Sequence, residues 1–415
     1  MSIIIFMYYI IAIPYLIYTF KKNYISPSFI FLGMQTVMFS GILRYVNFGI
    51  GSDLRLIKIY FVALIMFILG DLLSRFFYPT KNLPFEISGD RLNVKQRFWV
   101  GLLVFVSVVA CVYFFIASGY NVFVEILSSI ADGGVNDYTD ERIALYSIKG
   151  VGYIYQFRVT VLPVLCAFLI TSPKNPVFRL IGKLCFPFMI IFLLGTGQRL
   201  GFIVFVVIFL VALMYVYKVY NNKRIKFAII LISVGAVFIF MVMTVFNGRV
   251  QSDSNIIESV MSRIFNENQE CAVVAFRYID SQPTQWGRDW YLSMLDILPG
   301  KNDYKQLSYV VFEVMYGTDR GTSPPCIWGS AYYNFGWLGV LFMPFIMGIV
   351  YHRLYFGFRR YKMNRLRIFL YSAMFVILGL WFADNPLYLF NQGFITIVIM
   401  MLLLKPTKKQ KDVKA

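Results

Sequence analysis

Seventeen consecutive uncharged residues at 201–217 (GFIVFVVIFLVALMYVY) decide the fold class of this chain. A helix rises about 1.5 Å per residue, so the run nearly spans the ~30 Å hydrocarbon core of a bilayer. Lipid offers no partner to backbone N–H and C=O groups, and a single segment satisfies its own only as a helix. The stretch therefore predicts a transmembrane helix.

Apolar runs of this kind recur along the 415 residues. Hydrophobic residues make up 59% of the chain, charged residues only 14%, and the mean hydropathy is +0.67. Soluble domains carry roughly 25% charged residues, so only lipid can bury this composition. The sequence predicts an all-α polytopic integral membrane protein with about 11 (10–12) transmembrane helices. Besides 201–217, the runs are 2–20, 27–43, 58–75, 98–118, 151–171, 180–196, 227–246, 332–352, 367–384 and 387–404.

Basic residues set the orientation of these spans. They concentrate in every second connection, which the positive-inside rule places in the cytoplasm. The formal net charge of +18 therefore reflects topology and contact with anionic lipid. We see no basic soluble domain, so nucleic acid is not an expected partner. The basic connections are 21–22, 81–97, 174–179, 218–226 and 353–367, followed by the tail.

The spans divide the chain into four predicted parts. Residues 1–246 hold the N-terminal transmembrane helices, with a smaller outer loop near 120–150. Residues 247–331 form a large outer loop, in which apolar residues at helical spacing predict short amphipathic helices. Residues 332–404 hold the C-terminal transmembrane helices, and 405–415 form a basic cytoplasmic tail. A loop of this length with helices of its own is usually functional.

The end of the large loop carries the densest turn chemistry. Residues 320–339 (RGTSPPCIWGSAYYNFGWLG) mix Gly, Pro, Ser, Thr and Asn with aromatic rings and run directly into an apolar span. A turn-rich segment at the boundary of water and lipid can hold the polar head of a lipid-borne substrate. Its rings can stack on sugars, although interface belts explain such rings equally well.

Two outer-side arginines predict an anion site. The turn at 195–199 (GTGQR) has glycines that free the backbone to approach a ligand, and Arg199 can grip phosphate oxygens in bidentate fashion. A plain helix hairpin with an exposed arginine is the alternative. Arg158 lies within an apolar span, where a charge costs roughly 2.5–3.5 kcal/mol on insertion scales. It either binds an anion, snorkels to the interface or pairs with a carboxylate, and the sequence leaves these readings open.

No single proton acceptor stands out. His352, the one histidine, falls at the cytoplasmic end of a predicted span. Asp384, in the segment FADNPL, fits a helix cap. Cys271 and Cys326 share the large loop and could form a disulfide, although spacing does not establish one.

The GTGQR turn, the long outer loop and the segment GTSPP…WGSAYYNFGWLG resemble the O-antigen polymerases, which build bacterial surface polysaccharide from oligosaccharide repeat units. The resemblance extends over nearly the whole chain in topology, while the sequence-level match is confined to 195–199 and 321–339. It implies a GT-C-like fold in the bacterial inner membrane, with the large loop and the active site facing the periplasm.

The resemblance also implies the chemistry of a glycosyltransferase in lipopolysaccharide or related surface polysaccharide biosynthesis. A hydroxyl of one undecaprenyl-diphosphate-linked repeat unit attacks the anomeric carbon of the growing glycan, which moves as a block, and undecaprenyl diphosphate leaves. Arginines stabilise the leaving group without a metal or another cofactor, and a carboxylate or histidine takes the proton. The implied partners are the lipid-linked donor and acceptor, membrane lipid, a chain-length regulator and a flippase.

Candidate site residues follow from the motifs and from the resemblance. Some polymerases of this family carry loop motifs that pair an arginine with a glycine, and the spacings Arg142–Gly152 and Arg288–Gly300 nearly match them. The catalytic candidates are Arg199, Arg320, Arg288, Arg142, Asp289 and Asp319. The substrate-binding candidates are Gly197, Gln198, Arg158, Thr322, Ser323, Tyr332, Asn334 and Trp290.

Two alternative functions remain. A ligase for O-antigen or a related polymer shares the chemistry and topology, but the ligases that resemble these polymerases use an outer-loop histidine that this chain lacks. A lipid-linked oligosaccharide flippase or another transporter would also be polytopic. Transporters usually show two related halves and short loops, whereas one large loop dominates here, so transport is disfavoured.

Overall fold

The computed structural model describes residues 1–80, 92–131, 145, 150–172, 175–197, 199–220, 223–244, 268–298, 304–318, 321–361 and 363–405. These ranges contain helices and no β-strand, which confirms the predicted all-α class. Predictions on Arg142, Gln198, Asp319 and Arg320 lie outside the described residues.

The helices of the described ranges are numbered in chain order. They are α1 (Ser2–Asn23), α2 (Pro27–Ile42), α3 (Gly51–Phe77), α4 (Val94–Ser118), α5 (Val122–Ala131), α6 (Val151–Thr171), α7 (Pro176–Leu194), α8 (Arg199–Tyr220), α9 (Lys223–Thr244), α10 (Asn268–Asp280), α11 (Arg288–Met294), α12 (Leu307–Tyr316), α13 (Ile327–Arg359), α14 (Arg365–Gly379), α15 (Leu387–Asn391) and α16 (Phe394–Leu403).

Seven of these helices are long and apolar enough to cross a membrane. They are α1, α3, α4, α6, α7, the Leu200–Lys218 part of α8, and α13, and each falls on a predicted apolar run. The polytopic membrane class is therefore confirmed. The total of about 11 spans and the placement of the large loop in the periplasm stay predictions.

The last two predicted spans differ from the structure. α14 ends at Gly379, so the run 367–384 does not continue as a helix to its end. The run 387–404 is two short helices and not one continuous helix. The break lies at Gly393, whose φ of +93° leaves the helical region. A side chain at Gly393 would collide with Thr160, so close packing fixes the break.

The chain forms two compact units. Unit 1 comprises Met1–Leu83, Met261–Arg360 and Leu378–Phe390. Unit 2 comprises Pro84–Val260, Tyr361–Ile377 and Asn391–Ala415.

In unit 1, α3 and α13 run parallel and touch through their backbones. Gly70 of α3 lies against the carbonyl of Phe345, and Gly348 of α13 lies against the carbonyl of Phe67. A Cβ at either glycine would collide with that backbone. Small residues are what allow membrane helices to approach this closely, so these glycines fix the α3–α13 contact.

Two ion pairs attach α10 to the first turns of α3. Arg277 binds Asp53 through Nε and Nη2 at 2.8 and 2.7 Å, and Asp53 is buried. Arg55 Nη1 lies 2.5 Å from a carboxylate oxygen of Asp280. A bidentate arginine on a buried carboxylate holds a defined geometry, so α10 has a fixed position on α3.

The opposite end of α3 holds a buried polar cluster. Asp71 accepts hydrogen bonds from Tyr15, Ser28 and Arg75 at 2.5, 2.8 and 2.5 Å. Three donors, one of them the Arg75 guanidinium, compensate the carboxylate, which is wholly buried. Asp71 therefore fastens α1, α2 and α3 together. His352 lies at the same end, and its Nε2 is 2.9 Å from the carbonyl of Tyr78.

In unit 2, α6 packs along α7. Gly182 of α7 sits so close to Leu169 and Ile170 that a Cβ would lie 2.7 Å from the Ile170 nitrogen. α6 contains a π-helical turn at Phe157–Val161, in which four of the five residues are buried. Such single turns are frequent at functional sites, and this one carries Arg158.

Candidate functional site

Unit 2 buries the guanidinium of Arg158. The side chain is 2% exposed, and its Nη1 donates to the carbonyls of Phe192 and Leu193 at 3.0 and 3.3 Å. Nη1 also donates to the hydroxyl of Thr196 at 3.0 Å. The two carbonyls belong to the last turn of α7, where the helix dipole is negative. These dipoles orient the arginine, but none of them carries a full charge.

Aromatic rings complete the surroundings of Arg158. Its guanidinium carbon lies 4.9 Å from the ring centroid of Tyr155 and 5.9 Å from that of Phe114. Within the described ranges no Asp or Glu lies at ion-pair distance, and Nε and Nη2 make no hydrogen bond. Arg158 is therefore a buried arginine without a carboxylate partner among the described residues, and its role as an anion ligand stays a prediction.

The turn at 195–199 is built around Arg158. Gly195 fits against Phe115 and Asn121, where a Cβ would lie 2.5 Å from the Phe115 ring, and Gly197 has a φ of +66°. The N–H of Gly197 donates to the carbonyl of Leu194 at 2.8 Å, so this amide closes the turn and is not offered to a ligand. Glycine is needed for packing and for the left-handed turn.

Thr196 is a residue that the sequence reasoning missed. It is fully buried, and its hydroxyl positions Arg158 from 38 residues away in the chain. The signal was present, since Thr196 stands between the two glycines of the motif. Arg199 begins α8 directly after the turn. Its side chain lies outside the described part of the molecule.

In unit 1, the sequence candidates Asp289, Trp290 and Asn334 come together. Asp289 is fully buried and accepts hydrogen bonds from the Tyr304 hydroxyl at 2.9 Å, the Leu307 N–H at 3.4 Å and the Asn334 amide at 3.2 Å. The Trp290 indole N–H donates to the Ser330 hydroxyl at 2.9 Å. We call Asp289, Trp290, Tyr304, Ser330 and Asn334 the Asp289 cluster.

The polar atoms of this cluster largely satisfy one another. The Asn334 side chain accepts a hydrogen bond from the backbone N–H of Trp290 at 3.2 Å. It donates to the carbonyl of Ser330 at 3.0 Å and to Asp289. Burial, with a further contribution from Asp289, raises the pKa of Tyr304 above its usual range. Tyr304 therefore stays a neutral donor. The cluster fastens α11 to α13, so Asp289 and Asn334 have a positioning role here.

A left-handed turn delivers α11 to this cluster. Trp286 and Gly287 have φ values of +51° and +82°, and the Gly287 N–H donates to the carbonyl of Asn334 at 3.1 Å. Trp286 is 74% exposed. Arg288, two residues later, is also exposed and lies near Tyr333 and Tyr304. Arg288 is thus an exposed cation near Tyr304 of the Asp289 cluster.

The remaining substrate-binding candidates near the end of the large loop, Thr322, Ser323 and Tyr332, differ in burial and in contacts. Ser323 is buried, and its N–H donates to the carbonyl of Ser308 at 2.9 Å, whereas Thr322 is exposed. The Tyr332 hydroxyl accepts from Arg55 at 3.4 Å, and its ring packs 5.4 Å from that of Phe276. Tyr332 therefore supports the contact between α10 and α13.

Two expectations from the sequence are corrected. Cys271 and Cys326 are free thiols, so the disulfide does not form. Asp384 is not a helix cap, because the N–H of Leu387 at the start of α15 is bound by the side chain of Asn385 at 3.0 Å. Asp384 is instead a buried carboxylate, 8% exposed, between α14 and α15. Sequence spacing could not reveal its neighbours, which come from α11, α12 and the start of α13.

The described residues contain no group of three or more His, Cys, Asp or Glu side chains that could hold a metal ion. Metal independence of the chemistry stays a prediction.

The family model for the O-antigen polysaccharide polymerase Wzy matches residues 1–410, which include both units almost completely. No curated protein and no solved structure matches the chain.

Proposed function

Since the chain belongs to the O-antigen polysaccharide polymerase Wzy family, we propose that it joins undecaprenyl-diphosphate-linked repeat units by block glycosyl transfer, with Arg158 binding the diphosphate. The family supports the general activity, a glycosyltransferase-like polymerisation of lipid-linked oligosaccharide repeat units by a multi-pass inner-membrane protein. In this proposal the reaction takes place on the periplasmic side.

One observation carries the role of Arg158: a wholly buried guanidinium without a carboxylate partner in the described ranges. A charged side chain in a membrane span is costly, and such residues often mark the path of a substrate or an ion. Nη1 is held by Thr196 and the α7 carbonyls, which leaves the Nε and Nη2 donors for a second group. Paired donors of this kind suit the oxygens of a phosphate.

The start of α8, which follows Thr196 in the chain, also favours a phosphate ligand near Arg158. Thr196 lies three residues before Arg199, the first residue of the 22-residue helix α8. The free N–H groups of a helix N-terminus favour an anion, and α8 begins beside the threonine that binds Arg158. A diphosphate there would meet one guanidinium and the start of α8. Arg199, Arg320, Arg288 and Arg142 are proposed as further cations for the leaving group.

Removing the Arg158 charge should slow polymerisation. Loss of one donor that stabilises developing negative charge costs roughly 10²–10³-fold in rate. We expect Arg158→Gln to lose the glycan ladder almost completely and Arg158→Lys to retain a fraction, because lysine keeps the charge without the bidentate geometry. The measurement is the rate at which purified full-length protein in lipid nanodiscs extends undecaprenyl-diphosphate-linked repeat units, resolved on a gel.

Arg353→Gln is the matched control. Arg353 also lies over an aromatic ring, 5.1 Å from the centroid of Tyr78, but it is exposed. The Arg353→Gln variant should form the ladder at the wild-type rate. A wild-type preparation that forms no ladder, or transfers glycan only to lipid A-core, would refute the polymerase proposal. Normal polymerisation by Arg158→Gln would refute the role of Arg158 alone.

A further inference from the structure

The connection between α14 and α15, residues 380–386, brings a carboxylate into the interior of unit 1. The Asp384 carbonyl accepts from the indole of Trp381 at 3.0 Å, and the Asp384 carboxylate accepts from the Asn385 N–H at 2.7 Å. The carbonyl of Phe382 accepts from the Ile327 N–H at 2.9 Å, which ties this connection to the start of α13. The carboxylate therefore has a fixed place beside the segment 320–339.

Strain marks the point where the connection meets α13. Cys326 has a φ of +62°, a conformation that residues other than glycine rarely adopt, and its thiol accepts from the Gly329 N–H at 3.3 Å. The thiol lies close enough to Asp384 to feel its charge. Backbone strain of this kind persists where the surrounding structure holds it in place, often at active sites.

An unused donor stands next to the carboxylate. The side chain of Asn385 is 2% exposed, and its Oδ1 is taken by the Leu387 N–H. Its Nδ2 is buried and has no hydrogen-bond partner among the described residues. A buried amide without a partner costs roughly 1–3 kcal/mol, which a ligand oxygen would recover. A carboxylate acceptor and an amide donor on adjacent residues suit the hydroxyls of a sugar.

A buried acid with a structural role is usually paired with a cation, and Asp384 has none among the described residues. Its titratable neighbours are Asp289 on α11 and the thiol of Cys326, which itself lies next to Tyr60 of α3. The hydroxyl of Ser308 on α12 donates to the Asp384 carboxylate. Among the described residues no lysine or arginine lies at ion-pair distance from Asp384. By contrast, Asp289 is bound by three donors, so it is the better satisfied of the two acids.

We propose that Asp384 is the proton acceptor of the glycosyl transfer and that the Asn385 amide holds the acceptor sugar beside it. This inference rests on the proposed function. The acceptor hydroxyl oxygen forms a bond to the anomeric carbon of the donor as the bond from that carbon to the diphosphate breaks. The hydroxyl proton moves to Asp384, and undecaprenyl diphosphate leaves with the electron pair. Asp289, within the buried cluster, helps to set the charge of Asp384.

The environment of Asp384 suits this task. Burial is the main cause that raises the pKa of Asp384 to about 7, with a further rise from the charge of Asp289. A general base works best when its pKa is close to the working pH, because it is then ionised and still basic enough to take a proton. Ionisation requires a pH above this value, so activity should rise with pH and fall about tenfold per unit below it.

The experiment compares the rate of ladder formation across pH for the full-length protein in nanodiscs. Asp384→Asn should polymerise at least ~100-fold more slowly than wild type, in the range of general-base catalysis. Its residual activity should lose the acid limb seen in wild type, and Asp384→Glu should restore part of the rate. Asp296→Asn is the control, since Asp296 is exposed and bound only by Gln306 among the described residues. It should keep the wild-type rate and profile.

Each result has a distinct meaning. Wild-type ladder formation without an acid limb near pH 7 would overturn the role of Asp384, and this test needs no variant to fold. Asp384→Asn that polymerises at the wild-type rate would overturn it as well, while leaving the polymerase function intact. Failure of the wild-type protein to form a ladder would overturn both proposals.

Discussion

At the scale of single residues, two buried charges have opposite surroundings. Arg158 is oriented by carbonyl and hydroxyl dipoles and meets no described carboxylate. Asp384 faces a second acid and meets no described cation. A protein selected for stability alone would pair or remove such groups, because an uncompensated buried charge is costly. We infer that both are retained for chemistry, the cation for the diphosphate and the carboxylate for the proton.

The Asp384 carboxylate should make folding stability depend on pH. The pKa of a free aspartate is about 3.9, and the folded protein raises it to about 7. The folded state then binds the proton more tightly, so stability falls as pH rises through this interval. We expect the melting temperature of wild type to fall between pH 4 and pH 7 relative to that of Asp384→Asn, which cannot ionise. Equal pH dependence in the two proteins would contradict the raised pKa.

At the scale of helices, close backbone contact organises unit 1. Gly348 of α13 lies against the carbonyl of Phe67 on α3, and Gly70 makes the reciprocal contact with α13. The ion pair of Arg277 with Asp53 holds α10 on α3. The helices that carry the Asp289 cluster are thereby anchored to a rigid pair, which keeps its side chains in place.

A methyl group at Gly348 should disrupt this pair, whereas one at Gly357 should not. Gly348→Ala would collide with backbone and cost about 1–3 kcal/mol, as overpacking does. Gly357 lies on the same helix with open space around its Cβ position, so Gly357→Ala should be neutral or stabilising by about 0.5–1 kcal/mol. Thermal unfolding of the two variants in detergent measures the difference. A Gly348→Ala variant as stable as Gly357→Ala would contradict the α3–α13 contact.

The sequence predicts helices better than it predicts their breaks. Hydropathy finds the seven long apolar helices because lipid burial depends on composition alone. It does not find the break at Gly393, because that depends on Thr160 from a distant helix. Turn chemistry selected Asn334, and an adjacent arginine selected Asp289, but the sequence could not show that these residues, 45 positions apart, bind each other. The environment of Asp384 is likewise tertiary, which explains why a cap was the expected role.

At the scale of the whole molecule, the family match covers both candidate sites. The match over residues 1–410 includes Arg158 in unit 2 and Asp384 in unit 1. A polymerase of lipid-linked sugars needs to stabilise a diphosphate and to accept a proton. The central claim is that the unpaired Arg158 binds the diphosphate of the lipid carrier.

Binding of undecaprenyl diphosphate to the full-length protein in nanodiscs tests this claim most directly. A hydrogen-bonded charge contributes roughly 1.5–3 kcal/mol, which corresponds to about a 10–150-fold change in Kd. In competition with a fluorescent polyprenyl diphosphate, the Kd of Arg158→Gln should be about 10–150-fold higher than that of wild type. The Kd of Arg353→Gln should equal that of wild type. A wild-type Kd for Arg158→Gln in a folded preparation would contradict the account.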